Sequence, residues 1–175
     1  MIWSDPNVPG KDYTLGNEHV RVLKNMVWRN LHVPHKFRCI ADGRVGGIST
    51  VPFDPRTHRP QTRFAKLQLF RKDIAHYLGE RILYLDLDAV IVDDITPLVD
   101  RTEDLVLWRN PRFDEGLTPS RYNTSMILLT AGVRPDLYDD FDEDAYAEFE
   151  TLPPKGGTDQ RWVSDRVSPR TPYWQ

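Results

Sequence analysis

Two aspartates, Asp86 and Asp88, stand one residue apart at the end of the apolar run Ile82, Leu83, Tyr84 and Leu85. A run of that length and character reads as a strand buried on both faces. In an extended chain alternate side chains point the same way, so both carboxylates can face one spot. Bare carboxylates side by side repel each other and are costly to bury unpaired. A divalent cation that prefers oxygen ligands, Mg²⁺ or Mn²⁺, relieves both costs. Taken alone, an Asp-x-Asp tripeptide is more often a solvated strand-to-loop turn, because the tripeptide is common. The second apolar run, Ala89 to Val92, argues here for burial and so for a metal site at a sheet edge, built to hold phosphates.

Charge elsewhere is segregated. Arg56 to Lys66 is basic and contains no acid, while Asp136 to Glu150 is acidic and contains no base. The acidic run reads as one solvated helix face with Leu137, Phe141, Tyr146 and Phe149 turned inward. The basic run is either a solvated loop or a phosphate clamp, because it leads into the helix that precedes the acid pair. His19, His32, His35, His58 and His76 are scattered and make no metal-ligand pattern, which leaves them surface or packing roles. Trp3, Trp28, Trp108, Trp162 and Trp174 are core or groove candidates, and Trp108 and Trp162 have the flat faces on which a sugar can stack.

These groups need elements to position them. Met1 to Ser4 reads as the tail of a strand and Asp5 to Gly16 as a loop. Val20, Leu23, Val27 and Leu31 recur at helical spacing, and Pro34 ends that helix. Lys36 to Ala41 and Ile48 to Phe53 read as strands, with the turn Asp42-Gly43 between them. Phe64, Leu67, Phe70, Ile74 and Leu78 predict a second helix capped by Gly79. The strand with the aspartates follows. A turn of helix is expected over Asp94 to Val99, then a strand over Asp104 to Trp108 and a loop over Arg109 to Arg121. Tyr122 to Thr130 reads as a strand, the acidic segment as a helix, Pro153 to Gly157 as a loop, and a last helix starts from the N-cap Thr158. Strands alternating with helices indicate an α/β layered sheet, in which ligands bind beyond the carboxyl ends of the strands.

With 175 residues, 39% hydrophobic and 28% charged, the chain is expected to form a single soluble domain over 1–175. A net charge of −3 gives no reason to expect nucleic acid as a partner. The single cysteine, Cys39, excludes an intrachain disulfide, and no segment has the apolar length of a membrane span or a signal-peptide core. A cytoplasmic location is expected.

An ordered set of segments from about Tyr13 to about Asp165 resembles the GT-A-fold glycosyltransferases, most closely the glycogenin-like and lipopolysaccharide galactosyltransferase-like group. The helix start with Arg63, Lys66 and Leu67 resembles the family's helix that sets a basic residue on the donor diphosphate. Gly79 to Val92 resembles its metal-binding Asp-x-Asp strand, and Tyr122 to Leu129 the strand whose Asn, here Asn123, lies near the donor sugar. Gly157 to Trp162 is similar to the segment whose Asp and Gln, here Asp159 and Gln160, sit beside the reacting sugars.

The resemblance implies an α/β, GT-A-like (Rossmann-like) mixed sheet flanked by helices. Its implied function is metal-dependent transfer of a sugar from a nucleotide-diphosphate sugar to an acceptor, whether glycan, lipid-linked sugar or protein. Asp86 and Asp88 would hold Mn²⁺ or Mg²⁺ across the diphosphate, and Lys66 and Arg63 would stabilise the leaving group. Asn123, Asp159 and Gln160 would orient the sugars. Without the family, Lys66 and Arg63 read as exposed helix charges, Asn123 as a strand-start hydrogen-bonder and Asp159 as a first-turn acid. Against the family pattern, shortened N- and C-terminal ends are expected: only Met1 to Asp5 stands for the base-binding strand and loop, and no histidine follows His76 as a third ligand.

Two alternatives follow. One is a truncated, catalytically inactive relative that binds a nucleotide or a partner. The other is a haloacid dehalogenase-like phosphatase, whose first motif Tyr84 to Val92 also resembles. There Asp86 would be the nucleophile, Asp88 the general acid, and Thr130 and Lys155 the phosphate holders. Ala89 in place of the usual Gly, the mid-chain position, and the absence of a later strand followed by an acid pair count against it.

Overall fold

The computed structural model describes residues 2–3, 16–41, 43–57, 62–152 and 158–174. In chain order the first elements are β1 (Ile2–Trp3), α1 (Asn17–Asn30), β2 (Arg38–Ala41), β3 (Ser49–Val51), a 3₁₀ helix (Thr62–Phe70), α2 (Ala75–Leu78) and β4 (Arg81–Leu85). There follow α3 (Thr96–Val99), β5 (Leu105–Arg109), α4 (Pro111–Asp114), β6 (Tyr122–Thr130), α5 (Asp136–Asp139), α6 (Glu143–Glu150), α7 (Asp159–Arg166) and β7 (Tyr173–Trp174). Backbone packing groups them into two units, Met1–Phe53 with Leu85–Thr102, and Asp54–Tyr84 with Glu103–Gln175.

The first unit holds a parallel three-stranded sheet of order β1-β2-β3, with Arg38 opposite Ser49 and Ile40 opposite both Ile2 and Val51. Cys39, Ile40 and Ala41 are buried, as the apolar character of β2 requires. α1 buries Val20, Leu23 and Val27, its predicted stripe. It ends at Asn30, four residues before Pro34; the Asn30 side-chain amide donates back to the Met26 carbonyl at 2.8 Å, satisfying a carbonyl of the last turn. The Leu31 N–H still reaches the Val27 carbonyl at 2.9 Å.

The second unit holds a mixed four-stranded sheet of order β4-β6-β5-β7, in which β5 pairs antiparallel with β6 and parallel with β7. α7 packs on β6 and on the 3₁₀ helix, which also meets α5. The predicted second helix takes a different form. Phe64 to Phe70 wind as a 3₁₀ helix buried on every side, and only Ala75 to Leu78 is α-helical. Gly79 ends it as expected, with φ at +94° and ψ at 177°, a region open to glycine.

The acidic segment is two helices rather than one. The chain breaks after Asp139, and Asp142 caps α6 by accepting from the Ala145 N–H at 2.9 Å. Leu137, Phe141 and Phe149 are buried and Tyr146 is half-buried, so the inward set is as predicted. Phe141 stacks on Phe64 and meets Trp162 edge-on at centroid distances of 4.9 and 5.1 Å. This aromatic cluster joins three elements distant in sequence, and it places Trp162 in the core instead of a sugar groove.

A carboxylate hub ties the 3₁₀ helix to α5. Asp54 accepts from Arg71 at 2.7 Å and from the Tyr138 hydroxyl at 2.9 Å, while its own N–H donates to the buried Gln68 side chain. Burial and the bond to this carboxylate raise the Tyr138 hydroxyl above its ordinary pKa. Arg56 donates to the carbonyls of Asp139 and Phe141 at the end of α5. That corrects one expectation: this member of the basic run serves as a helix C-terminal cap.

Candidate active site

The acid pair lies in a turn, not on an extended strand. β4 ends at Leu85, and the Ala89 N–H donates to the Asp86 carbonyl at 3.1 Å, closing a turn over Asp86, Leu87, Asp88 and Ala89. Leu87 is buried and fixes the turn, Asp86 is half-buried and Asp88 is exposed. β4 itself buries Ile82 and Tyr84, while Leu83 and Leu85 are half-buried, so one face alone is fully enclosed. The run behind it is open: Val90 and Val92 are 76% and 89% exposed. The acid pair is therefore not enclosed by apolar residues on both sides, and what a metal would find here is the donor set alone. That set is two carboxylates on a tight, solvent-facing turn, and no group of three His, Cys, Asp or Glu side chains converges among the described residues. Hard cations that keep several waters and take one or two carboxylates plus substrate phosphates suit such a set.

In the second unit, the structure brings together two residues that the sequence placed far apart. Lys66 projects from the 3₁₀ helix and its Nζ lies 3.2 Å from Oδ2 of Asp159, the first residue of α7. Their side chains are 8% and 6% exposed. Lys66 also donates to the Thr124 carbonyl at 3.4 Å and lies 5.5 Å from the centre of the Tyr84 ring. The Thr124 hydroxyl donates to the same Asp159 oxygen. Thr158 caps α7 as predicted, accepting from the Arg161 N–H at 3.1 Å. Lys66 is thus no exposed helix charge, and Asp159 is more than a first-turn acid.

β6 carries Asn123 next to this network. Pairing with β5 jumps from Leu107 opposite Ile127 to Trp108 opposite Asn123, which leaves Thr124, Ser125 and Met126 in a bulge. The Asn123 Oδ1 accepts from the Ser125 N–H at 2.7 Å and stabilises it. Bulges re-aim side chains, and here the inserted residues include the Thr124 that grips Asp159. Tyr122 anchors the strand start: its N–H donates to the Ser164 hydroxyl of α7 at 3.0 Å, and its own hydroxyl to the Ser168 carbonyl at 3.0 Å. Burial pushes the pKa of that hydroxyl up. Gln160 is half-buried on the first turn of α7.

Arg63 is the second residue of the 3₁₀ helix by its backbone, but its side chain lies outside the described residues, as does Lys155. Thr124 and Tyr84 were missed by the sequence reading. Thr124 sits next to the Asn that was singled out, but its burial comes from the bulge and leaves no signal in the sequence.

This arrangement of strands and helices is similar in fold to solved structures. A galactosyltransferase, LgtC, solved in complex with donor and acceptor sugar analogs, superimposes over 98% of this chain and 71% of its own, with a TM-score of 0.66 at 15% identity. The fold is GT-A-like. The apo-form glycosyltransferase GlyE of Streptococcus pneumoniae TIGR4 shares this GT-A-like architecture over 90% of this chain, with a TM-score of 0.56 at 16% identity. The chain spans 41% of the length of GlyE. No family model matches the sequence, and no curated protein matches it. The GT-A-like reading of the fold made from the ordered motifs holds: an α/β chain with a mixed sheet and flanking helices. No helix among the described residues is long and apolar enough to cross a membrane.

Proposed function

We propose that the chain transfers a sugar from a nucleotide-diphosphate sugar to an acceptor, which is a glycan, a lipid-linked sugar or a protein. The observation that carries this reading is the GT-A-like fold along 98% of the chain, with an Asp-Leu-Asp turn at the end of β4. Asp86 and Asp88 hold the cation, Mn²⁺ or Mg²⁺, which when bound supplies neutralisation of charge on the donor diphosphate. Arg63 adds positive charge for the leaving diphosphate, whereas Lys66, enclosed and paired with Asp159, acts by positioning. The Lys66–Asp159 pair also positions the residues beside it: Asn123, next to Thr124 on β6, and Gln160, next to Asp159 on α7. Those two orient the reacting sugars, and orientation alone supplies much of such a rate.

The test is incubation with a panel of nucleotide-sugars and Mn²⁺, following nucleoside diphosphate release by chromatography. One donor is expected to turn over, with loss of turnover in Asp86→Asn and Asp88→Asn and an unchanged circular dichroism spectrum. Turnover that needs neither carboxylate, or none with any donor in a folded sample, contradicts the proposal.

A further inference from the structure

A cleft lies at the amino ends of the parallel strands in the first unit. Lys24 and Trp28, one helical turn apart on α1, form one wall; Lys36, Phe37 and Arg38, leading into β2, form another. The cleft is about 300 Å³ and reaches Ser49 at the start of β3. Ligands of α/β folds normally bind at the opposite, carboxyl ends of such strands. This cleft is therefore distinct from the position expected for a donor nucleotide.

Its chemistry is specific in two respects. No acid lines it, although the whole chain carries a net charge of −3. Among the described residues neither Lys24 nor Lys36 takes part in an ion pair, so the cleft concentrates positive charge without neutralising it. Arg38 is held by its bond to the Ser49 hydroxyl at 2.8 Å, which aims the guanidinium without cancelling its charge.

The second respect is Trp28, which is 72% exposed. A large apolar ring left in water forgoes the favourable free energy of its burial. The ring is not loose: His35 meets it edge-on at 5.9 Å and 65°, and the His35 Nδ1 is bonded to the Val33 carbonyl at 2.8 Å. A flat apolar platform flanked by cations suits a ligand with an apolar face and negative charges. At about 300 Å³ the space is at the small end for ligand sites, one ring wide.

We propose that this cleft binds an acidic saccharide, with Trp28 under the apolar face of one sugar ring and Lys24, Lys36 and Arg38 on its carboxylate or phosphate groups. The choice of a saccharide rests on the sugar-transfer reading above; the cleft and its charge do not. It is a holding subsite for a sugar chain, apart from the Asp86 and Asp88 turn.

The experiment is calorimetric titration with oligogalacturonate, a neutral malto-oligosaccharide of equal length, and adenosine monophosphate, at about 50 mM salt and without divalent cations. Oligogalacturonate alone is expected to bind. Trp28→Ala and the double variant Lys36→Gln/Arg38→Gln should each weaken it about tenfold or more, the scale of one aromatic or charged contact. Added salt should weaken it further. Trp28 and Lys36 are exposed and Arg38 is half-buried at the start of β2, so retention of the fold is checked in each variant by circular dichroism. No binding, binding unchanged in both variants, equal binding of the neutral chain, or preference for the nucleotide would each overturn the proposal. Oligogalacturonate binding by the wild type, weakened in both variants, while the wild type turns over no nucleotide-sugar would retire the transfer reading and leave the cleft standing.

Discussion

The buried pair of Lys66 and Asp159 supports the sharpest prediction. With Nζ and Oδ2 at 3.2 Å and both side chains more than nine-tenths enclosed, Coulomb attraction at an effective dielectric of about 20 is about 5 kcal/mol. Desolvation of both ions offsets much of this, so the pair as a whole contributes little net stability. Breaking it is another matter, because the surviving charge stays buried without its partner, at a cost of about 3–5 kcal/mol. Lys66→Met and Asp159→Asn should therefore each destabilise strongly, and the double variant should lose much less than their sum. Urea unfolding measures this: at an m-value of about 2 kcal/mol per M, each single change lowers the midpoint by about 1.5–2.5 M. Single variants within about 1 kcal/mol of wild type, with additive losses in the double variant, would refute the reasoning and return Lys66 to the role of a free phosphate-binding cation.

Removing the Thr124 hydroxyl in Thr124→Val deprives Asp159 of a donor and should cost about 1–3 kcal/mol in the same urea assay. Gly79→Ala meets no neighbouring atom, so its expected loss of about 1–3 kcal/mol is backbone strain at φ +94° alone, visible as a lower melting temperature. The side-chain bonds from Arg71 to Asp73 and from Arg134 to Asp136 hold both carboxyls below their ordinary pKa. Their folded values lie under the unfolded ones, so their contribution is present at neutral pH and is lost as pH falls through the folded values, below the usual carboxylate range. Stability should drop on that acid limb, and Arg134→Gln should flatten it; an acid limb unchanged by that variant would count against the assignment.

Local signals in the sequence located most elements. The stripe of α1, the Thr158 cap, the Gly79 stop and the apolar strands β4 and β6 stand where pattern and capping chemistry put them. The 3₁₀ helix was visible only in hindsight: Phe64, Leu67 and Phe70 recur every third residue, whereas Ile74 and Leu78 follow at intervals of four, and this change of period marks the change of helix. The break after Asp139 was hidden because Asp142 reads equally well as a helix-face acid or as a cap. For the site, the residue types were legible but their pairing was not. A lysine in a sequence reads as exposed, and Lys66 is enclosed because its partners Thr124 and Asp159 arrive from remote strand and helix. The bulge that delivers Thr124 leaves no pattern in a strand whose apolar run looks continuous. The exposure of Val90 and Val92 was likewise beyond reach, since apolar residues in sequence do not declare which side of a turn they take.

The most direct test of the proposed transfer function is calorimetric titration with a panel of nucleoside diphosphates, with and without Mn²⁺, on the wild type, Asp86→Asn and Asp88→Asn. The account predicts that one nucleotide binds, that binding requires Mn²⁺, and that either substitution removes it while the fold is retained. Metal-independent binding that survives in both variants, or no binding by any nucleotide to a folded sample, would contradict it.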